Sequence, residues 1–145
     1  MPDLLDRLID SPGLYVGSGD GVGSGVFIGR FRVTVLPSGA AVAIDYEAYG
    51  TDEILQHAEH TVVARDSEGR LTMFGVHSEA SVPVSLTEQT GGFFMDLEPA
   101  GPYLLAIQMA FDGDQLSYSW WWASRGEELV ERSRVVMHRV GPQGF

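Results

Sequence analysis

The sequence predicts an all-β fold, an up-and-down antiparallel barrel of about ten strands preceded by one short helix. Three observations carry this. First, tight-turn signals recur at short spacing: Pro37-Ser38-Gly39, Asp66-Ser67-Glu68-Gly69, Thr90-Gly91-Gly92, Asp112-Gly113 and Arg125-Gly126. Second, the segments between them alternate apolar and polar residues, and no stretch leaves room for a crossover helix. Third, two consecutive hairpins in the C-terminal third can be registered against each other from the residues alone. Closure removes the exposed edges that an open sheet of this length would carry.

The elements follow in order. Pro2 to Ile9 reads as a helix, with Asp3 as its cap, Leu4, Leu5, Leu8 and Ile9 as an apolar stripe and Ser11-Pro12-Gly13 as its stop. Candidate strands then span 14–19, 26–36, 41–48, 54–65, 70–78, 82–88, 93–98, 103–111, 115–123 and 129–140. The chain reads as one domain over 1–145, with the helix at 2–10 and the barrel at 14–140, the helix closing one end.

A short loop at Asp112-Gly113 places Tyr103, Leu105, Ile107, Met109 and Phe111 on one face with Leu116, Tyr118, Trp120 and Trp122. An even loop at Arg125-Gly126 adds Leu129, Glu131, Ser133, Val135, Met137 and Arg139 to that face, which is the inner one. Trp121 falls outside with Leu104, Val130 and Val136, and Arg132 and Arg134 project outward as surface charge. A loop at Thr90-Gly91-Gly92 groups Val82, Val84 and Leu86 with Phe93, Met95 and Leu97. A four-residue loop at Asp66–Gly69 groups Leu55, His57, Glu59, Thr61 and Val63 with Thr72, Phe74 and Val76. It leaves His60 and His77 together on the other face.

Composition excludes several chemistries. Among 145 residues there is no Cys, so disulfides, thiol catalysis and thiolate metal sites are absent. Net charge is −11, with nine Arg and no Lys, which argues against nucleic-acid binding and excludes Schiff-base chemistry. No segment is apolar for long enough to cross a membrane, and Met1 to Ser11 lacks the pattern of a signal peptide, so a cytoplasmic location is expected.

One helical turn, the segment Leu14-Tyr15-Val16-Gly17-Ser18-Gly19-Asp20-Gly21 and an unbroken meander together resemble the calycins. The resemblance is to their fatty-acid-binding-protein-like branch, which includes nitrobindin and many bacterial lipocalin-like proteins. In that branch a Gly-x-Trp-x-Gly-x-Gly segment opens the barrel. Here Tyr15 takes the tryptophan position, followed by Gly17, Gly19 and Gly21, and Arg139 sits at the closing end. The resemblance implies the barrel fold. Nitrobindin holds haem through a histidine on its final strand. The matching stretch here, Arg132-Ser133-Arg134-Val135, has none, and His138 comes too late and faces outward.

The remaining motifs give weaker chemistry. The spacing of Gly19, Gly21 and Gly23 imitates a dinucleotide fingerprint, but strand rather than helix follows it, so the glycine run reads as a turn. His60 and His77 supply two imidazoles without a third metal ligand, and neither metal nor cofactor is expected. The inner face is the best candidate site. Met109, Tyr118, Trp120, Trp122, Glu131, Ser133, Met137 and Arg139 combine an aromatic, Met-rich wall with a few polar groups, the composition of a small-molecule pocket. The expectation is a binder of an apolar or amphipathic small molecule, anchored at Arg139. The alternative is an enzyme, a cyclase or isomerase of a hydrophobic substrate, using Glu131 beside Tyr118. The outer patch around Trp121 suggests a homodimer contact.

Overall fold

The computed structural model describes residues 2–79, 83–96 and 101–141. Ten antiparallel strands close into a barrel in which every strand pairs with its chain neighbours and β1 pairs with β10. The order is α1 (Leu4–Asp10), β1 (Gly13–Gly21), β2 (Gly25–Val35), β3 (Val42–Gly50), β4 (Leu55–Arg65), β5 (Leu71–His77), β6 (Val84–Thr90), β7 (Phe93–Met95), β8 (Tyr103–Asp112), β9 (Gln115–Ser124) and β10 (Val130–Gly141). The expected Val82 start of the sixth strand, and Leu97 and Glu98 at the end of the seventh, lie outside the described residues.

The helix plugs one end. Asp3 caps it: the Asp6 N–H donates to Asp3 Oδ1 at 2.9 Å, and the Asp3 N–H donates to Asp6 Oδ2 at 3.1 Å. Leu5 and Leu8 are buried and join a continuous core with Tyr15, Phe31, Leu71, Met73, Met109, Leu116 and Met137. Two basic groups fasten the plug to the barrel. Arg65 pairs with Asp3 at 2.6 Å, and Arg7 lies over the Phe111 ring at 4.7 Å while donating to the Gly113 carbonyl.

The β8–β9 hairpin has the expected register, with Leu105 opposite Trp122, Ile107 opposite Trp120 and Met109 opposite Tyr118. Three other registers differ from expectation, each because one residue is gained or lost at a turn or bulge.

Between β4 and β5, the Asp66 N–H donates to the Arg70 carbonyl and the Gly69 N–H to the Asp66 carbonyl, with Gly69 at φ 82°. This is a three-residue loop ending in a left-handed glycine, which shifts the pairing by one relative to a four-residue loop. His77 therefore lies opposite Glu59, inside, and His60 lies opposite Val76, outside, where it bonds Asp45 at 2.5 Å. The two histidines do not share a face.

Between β6 and β7, an irregularity between Glu88 and Thr90 turns Phe94 inward opposite Ile107. Phe93 and Met95 face outward instead of joining Val84 and Leu86. Phe93 meets the ring of Trp121 edge-on at 5.9 Å.

The third shift is in β10. Ser133 pairs with Trp120 and Val135 with Tyr118, but a bulge at Arg132 sets Glu131 opposite Trp121 and Val130 opposite Trp122. Glu131 therefore leaves the inner face, and Val130 leaves the outer patch.

The glycine run is only partly turn. Gly17, Gly19 and Gly21 lie within β1, and the reversal is confined to Val22–Ser24. A side chain at Gly19 would overlap the Phe27 ring, and one at Gly17 would strike the Val136 carbonyl. Their absence lets Phe27 lie across β1 and lets β10 approach closely.

Candidate functional site

Among the described residues, none closes the end opposite the helix. A cavity of about 880 Å³ enters the barrel there, bordered by Phe27 of β2 and Tyr46 and Ala48 of β3, and by Leu105 of β8, Trp120 and Trp122 of β9 and Arg132 of β10. A barrel of ten strands is wider than its side chains fill along its whole length, so unless a second plug is supplied an empty end remains.

The buried acid and the two histidines of the site come from β4 and β5. Successive inward positions of β4 carry His57, Glu59 and Thr61, and His77 of β5 lies opposite Glu59. The Glu59 carboxylate is buried. It accepts a hydrogen bond from the Tyr118 hydroxyl and another from His57 Nε2 at 2.5 Å. His57 donates from its other nitrogen to both oxygens of Glu79, at 2.5 and 2.6 Å. A continuous hydrogen-bonded chain, Tyr118–Glu59–His57–Glu79, thus runs from the barrel interior to the rim.

Burial alone would lower the His57 pKa. The Glu59 and Glu79 carboxylates outweigh it and raise the imidazole to about 9, so His57 is a cation at neutral pH. Burial shifts the Tyr118 phenol well up, reinforced by Glu59. Tyr46 is raised by burial and then by Glu59 in the same way. Both phenols stay neutral. Glu79 is lowered despite partial burial, because His57 holds its charge. Trp120 stands edge-on to both imidazoles, at 5.5 Å from His57 and 5.4 Å from His77. Its indole Nε1 is buried without a hydrogen-bond partner among the described residues. A second, very small cavity of about 10 Å³ lies beside it, bordered by Glu59, Thr61, His77 and Trp120 among others.

The residues expected from the sequence divide into three groups. Trp120, Trp122 and Ser133 border the open cavity. Tyr118, Met109 and Met137 are inward and fully buried but lie deeper, outside its lining. Glu131 and Arg139 are elsewhere. Glu131 pairs with Arg134 at 3.5 Å on the outer surface. Arg139 is exposed at the helix end, opposite Tyr15, whose hydroxyl donates to the Ser11 carbonyl. It cannot anchor a ligand in a cavity that opens at the other end.

Arg132, expected outside, lines the mouth. Its Nε donates to the Trp122 carbonyl at 3.1 Å and its guanidinium sits 5.7 Å from the Trp122 ring. Arg134 does face outward, opposite Ser119.

The residues that sequence reasoning missed are Glu59, His57, His77 and Tyr46. The signal for the first three was the glycine at the end of Asp66-Ser67-Glu68-Gly69, which marks the odd-length loop. Among the described residues, no three His, Asp or Glu side chains form a group able to hold a metal ion. No helix of the described residues is long and apolar enough to cross a membrane.

No protein-family model matches the sequence, and a search among curated proteins finds no match. Among solved structures the barrel is similar to Rv2717c from M. tuberculosis, with a TM-score of 0.69 and 18% identity, covering 93% of this chain and 96% of that one. A likeness at that identity establishes the fold alone.

Proposed function

We propose that the protein binds one apolar or amphipathic small molecule in the open half of the barrel, in the manner of the fatty-acid-binding-protein-like calycins. The observation that carries this reading is the cavity itself. Its volume is within the range of small-molecule pockets, roughly 300–1,000 Å³, and it combines aromatic and aliphatic wall residues with polar groups, His57, His77 and Glu79 on one side and Arg132 and Ser133 across from them. The neighbouring barrel of Rv2717c supports the architecture and leaves the ligand to be found by experiment.

Titration with a neutral lipophilic fluorophore such as N-phenyl-1-naphthylamine tests the reading. One-to-one binding with quenching of tryptophan emission is expected, and Ala48→Trp, which fills the cavity, should abolish it. Native mass spectrometry of the wild-type protein gives a second measure. Absence of both probe binding and any co-purified mass would overturn the proposal.

A second reading, an enzyme acting on a hydrophobic substrate, is favoured by one observation. The acid–base group beside Tyr118 is Glu59, not Glu131, and it is linked to His57 at the cavity wall. With a pKa near 9, His57 would give a proton to a substrate at neutral pH before it would take one. Turnover of a bound molecule, seen as a change in its mass that His57→Gln prevents, would select this reading. His138 serves neither, because it is exposed on the outer face opposite Val16.

A further inference from the structure

We infer that His57, His77 and Ser78 form a carboxylate cradle in the cavity wall, that Glu79 fills it as an internal stand-in, and that a carboxylate-bearing ligand binds by replacing Glu79. The inference rests on the lumen-binding reading and names the polar end of the ligand.

The Glu79 side chain is 53% exposed, yet it collects three side-chain donors. His57 Nδ1 reaches both of its oxygens, Ser78 Oγ donates at 2.9 Å, and His77 Nδ1 stands at 3.3 Å. Two of these donors are fixed by contacts that do not involve Glu79. His57 is held through Nε2 by buried Glu59. The Ser78 hydroxyl accepts from the Ala58 N–H at 3.1 Å, which leaves its proton for an acceptor on the other side. His77 is carried by β5, with its ring against Trp120. His57 and His77 are therefore built into the barrel wall, and Ser78, just past the end of β5, is tied to it by donating its N–H to the Ala58 carbonyl, whereas Glu79, one residue further on, has no strand pairing to hold it.

Charge selects the class of head group. Replacing Glu79 by another carboxylate keeps the cation of His57 between two anions. A neutral head would leave it with Glu59 alone, and an ammonium head would meet it as a like charge. The cavity beside the cradle supplies Tyr46, Leu105 and Trp120 for the apolar remainder of the ligand.

The test compares wild type with Glu79→Ala, using dansyl-undecanoic acid and its primary amide as probes. Glu79→Ala should bind the acid about tenfold more tightly than wild type, the scale of one charge-assisted hydrogen-bond set, with amide affinity unchanged. His57→Gln in the Glu79→Ala background should remove that gain. Excess sodium acetate, against sodium chloride at equal ionic strength, should raise the melting temperature of Glu79→Ala and not that of wild type. An acid affinity that does not rise, or an amide affinity that rises equally, would overturn the cradle while a bound neutral fluorophore keeps the lumen reading. If no probe binds either protein, the lumen reading falls, and the acetate comparison then decides the cradle alone.

Discussion

The two ends of the barrel are built from the same strands and solve opposite problems. At the helix end, Leu5 and Leu8 complete a dry core, and the charged groups, Asp3, Asp6, Arg7 and Arg65, stay at the surface as caps and clasps. At the other end no element of the described residues covers the lumen, and charge goes inside: Glu59 is buried and His57 mostly so. Placing charge there costs stability unless each group is paired. Here pairing is complete along one chain of contacts, which shows that the open end is organised around polar groups rather than merely left unfilled. The helix end contributes stability, and the open end spends part of it on a polarised wall.

The largest effect should come from breaking that wall at its centre. Glu59→Ala leaves Tyr118 and His57 without their buried acceptor, and should cost about 4 kcal/mol in urea unfolding, as for other one-sided disruptions of buried pairs. It should also pull the His57 pKa down from about 9, because burial would then be opposed by Glu79 alone. Titration of the His57 ring by NMR checks this, and a pKa that stayed near 9 would contradict the pairing.

Leu8→Ala at the helix end should cost about 3 kcal/mol, the ordinary penalty of a buried leucine cavity. Unlike Glu59→Ala, it should leave the His57 titration where it was. Similar shifts from both variants would mean that the two ends are not separable.

Next in size is the pH dependence. The folded pKa of His57 is raised from 6.5 to about 9. Its stabilisation is fully present below pH 6.5, because the imidazole is charged in both states there. Between 6.5 and about 9 the unfolded chain loses the proton and the folded one keeps it, so stability falls with rising pH, on the order of 3 kcal/mol in total. In His57→Gln the decline over that window should flatten, as read from melting temperatures across it.

The smallest effects on stability separate the ends most sharply for binding. Trp122→Ala at the mouth should weaken binding of the neutral fluorophore several-fold with little change in melting temperature, since the residue is 39% exposed. Arg139→Met should leave that affinity unchanged, because Arg139 stands at the plugged end. A loss of binding in Arg139→Met would restore it as the ligand anchor and refute the position of the site.

Much of this architecture was legible in the residues. The alternation in β8 and β9, with the two-residue turn Gly113-Asp114 signalled by Asp112-Gly113, fixed which of Trp120, Trp121 and Trp122 face inward, because a slip of one would have inverted every position. The helix could be read from Asp3 and its leucine stripe, and the meander from regularly spaced turns. Local chemistry sufficed for these features because each is decided by residues close in sequence.

Where strands meet across a bulge or an odd loop, the sequence is compatible with two registers, and tertiary packing decides between them. The bulge at Arg132 moved Glu131 outside and brought Arg132 to the mouth, and the left-handed Gly69 placed His77 beside Glu59 instead of beside His60. Nothing in β4 alone reveals that Glu59 will find Tyr118, which lies fifty-nine residues away. The residues determined that there would be a closed barrel with one plugged end. Which side chains are gathered at the open end followed only from closure of the sheet, because closing the ladder fixes the stagger of every strand at once.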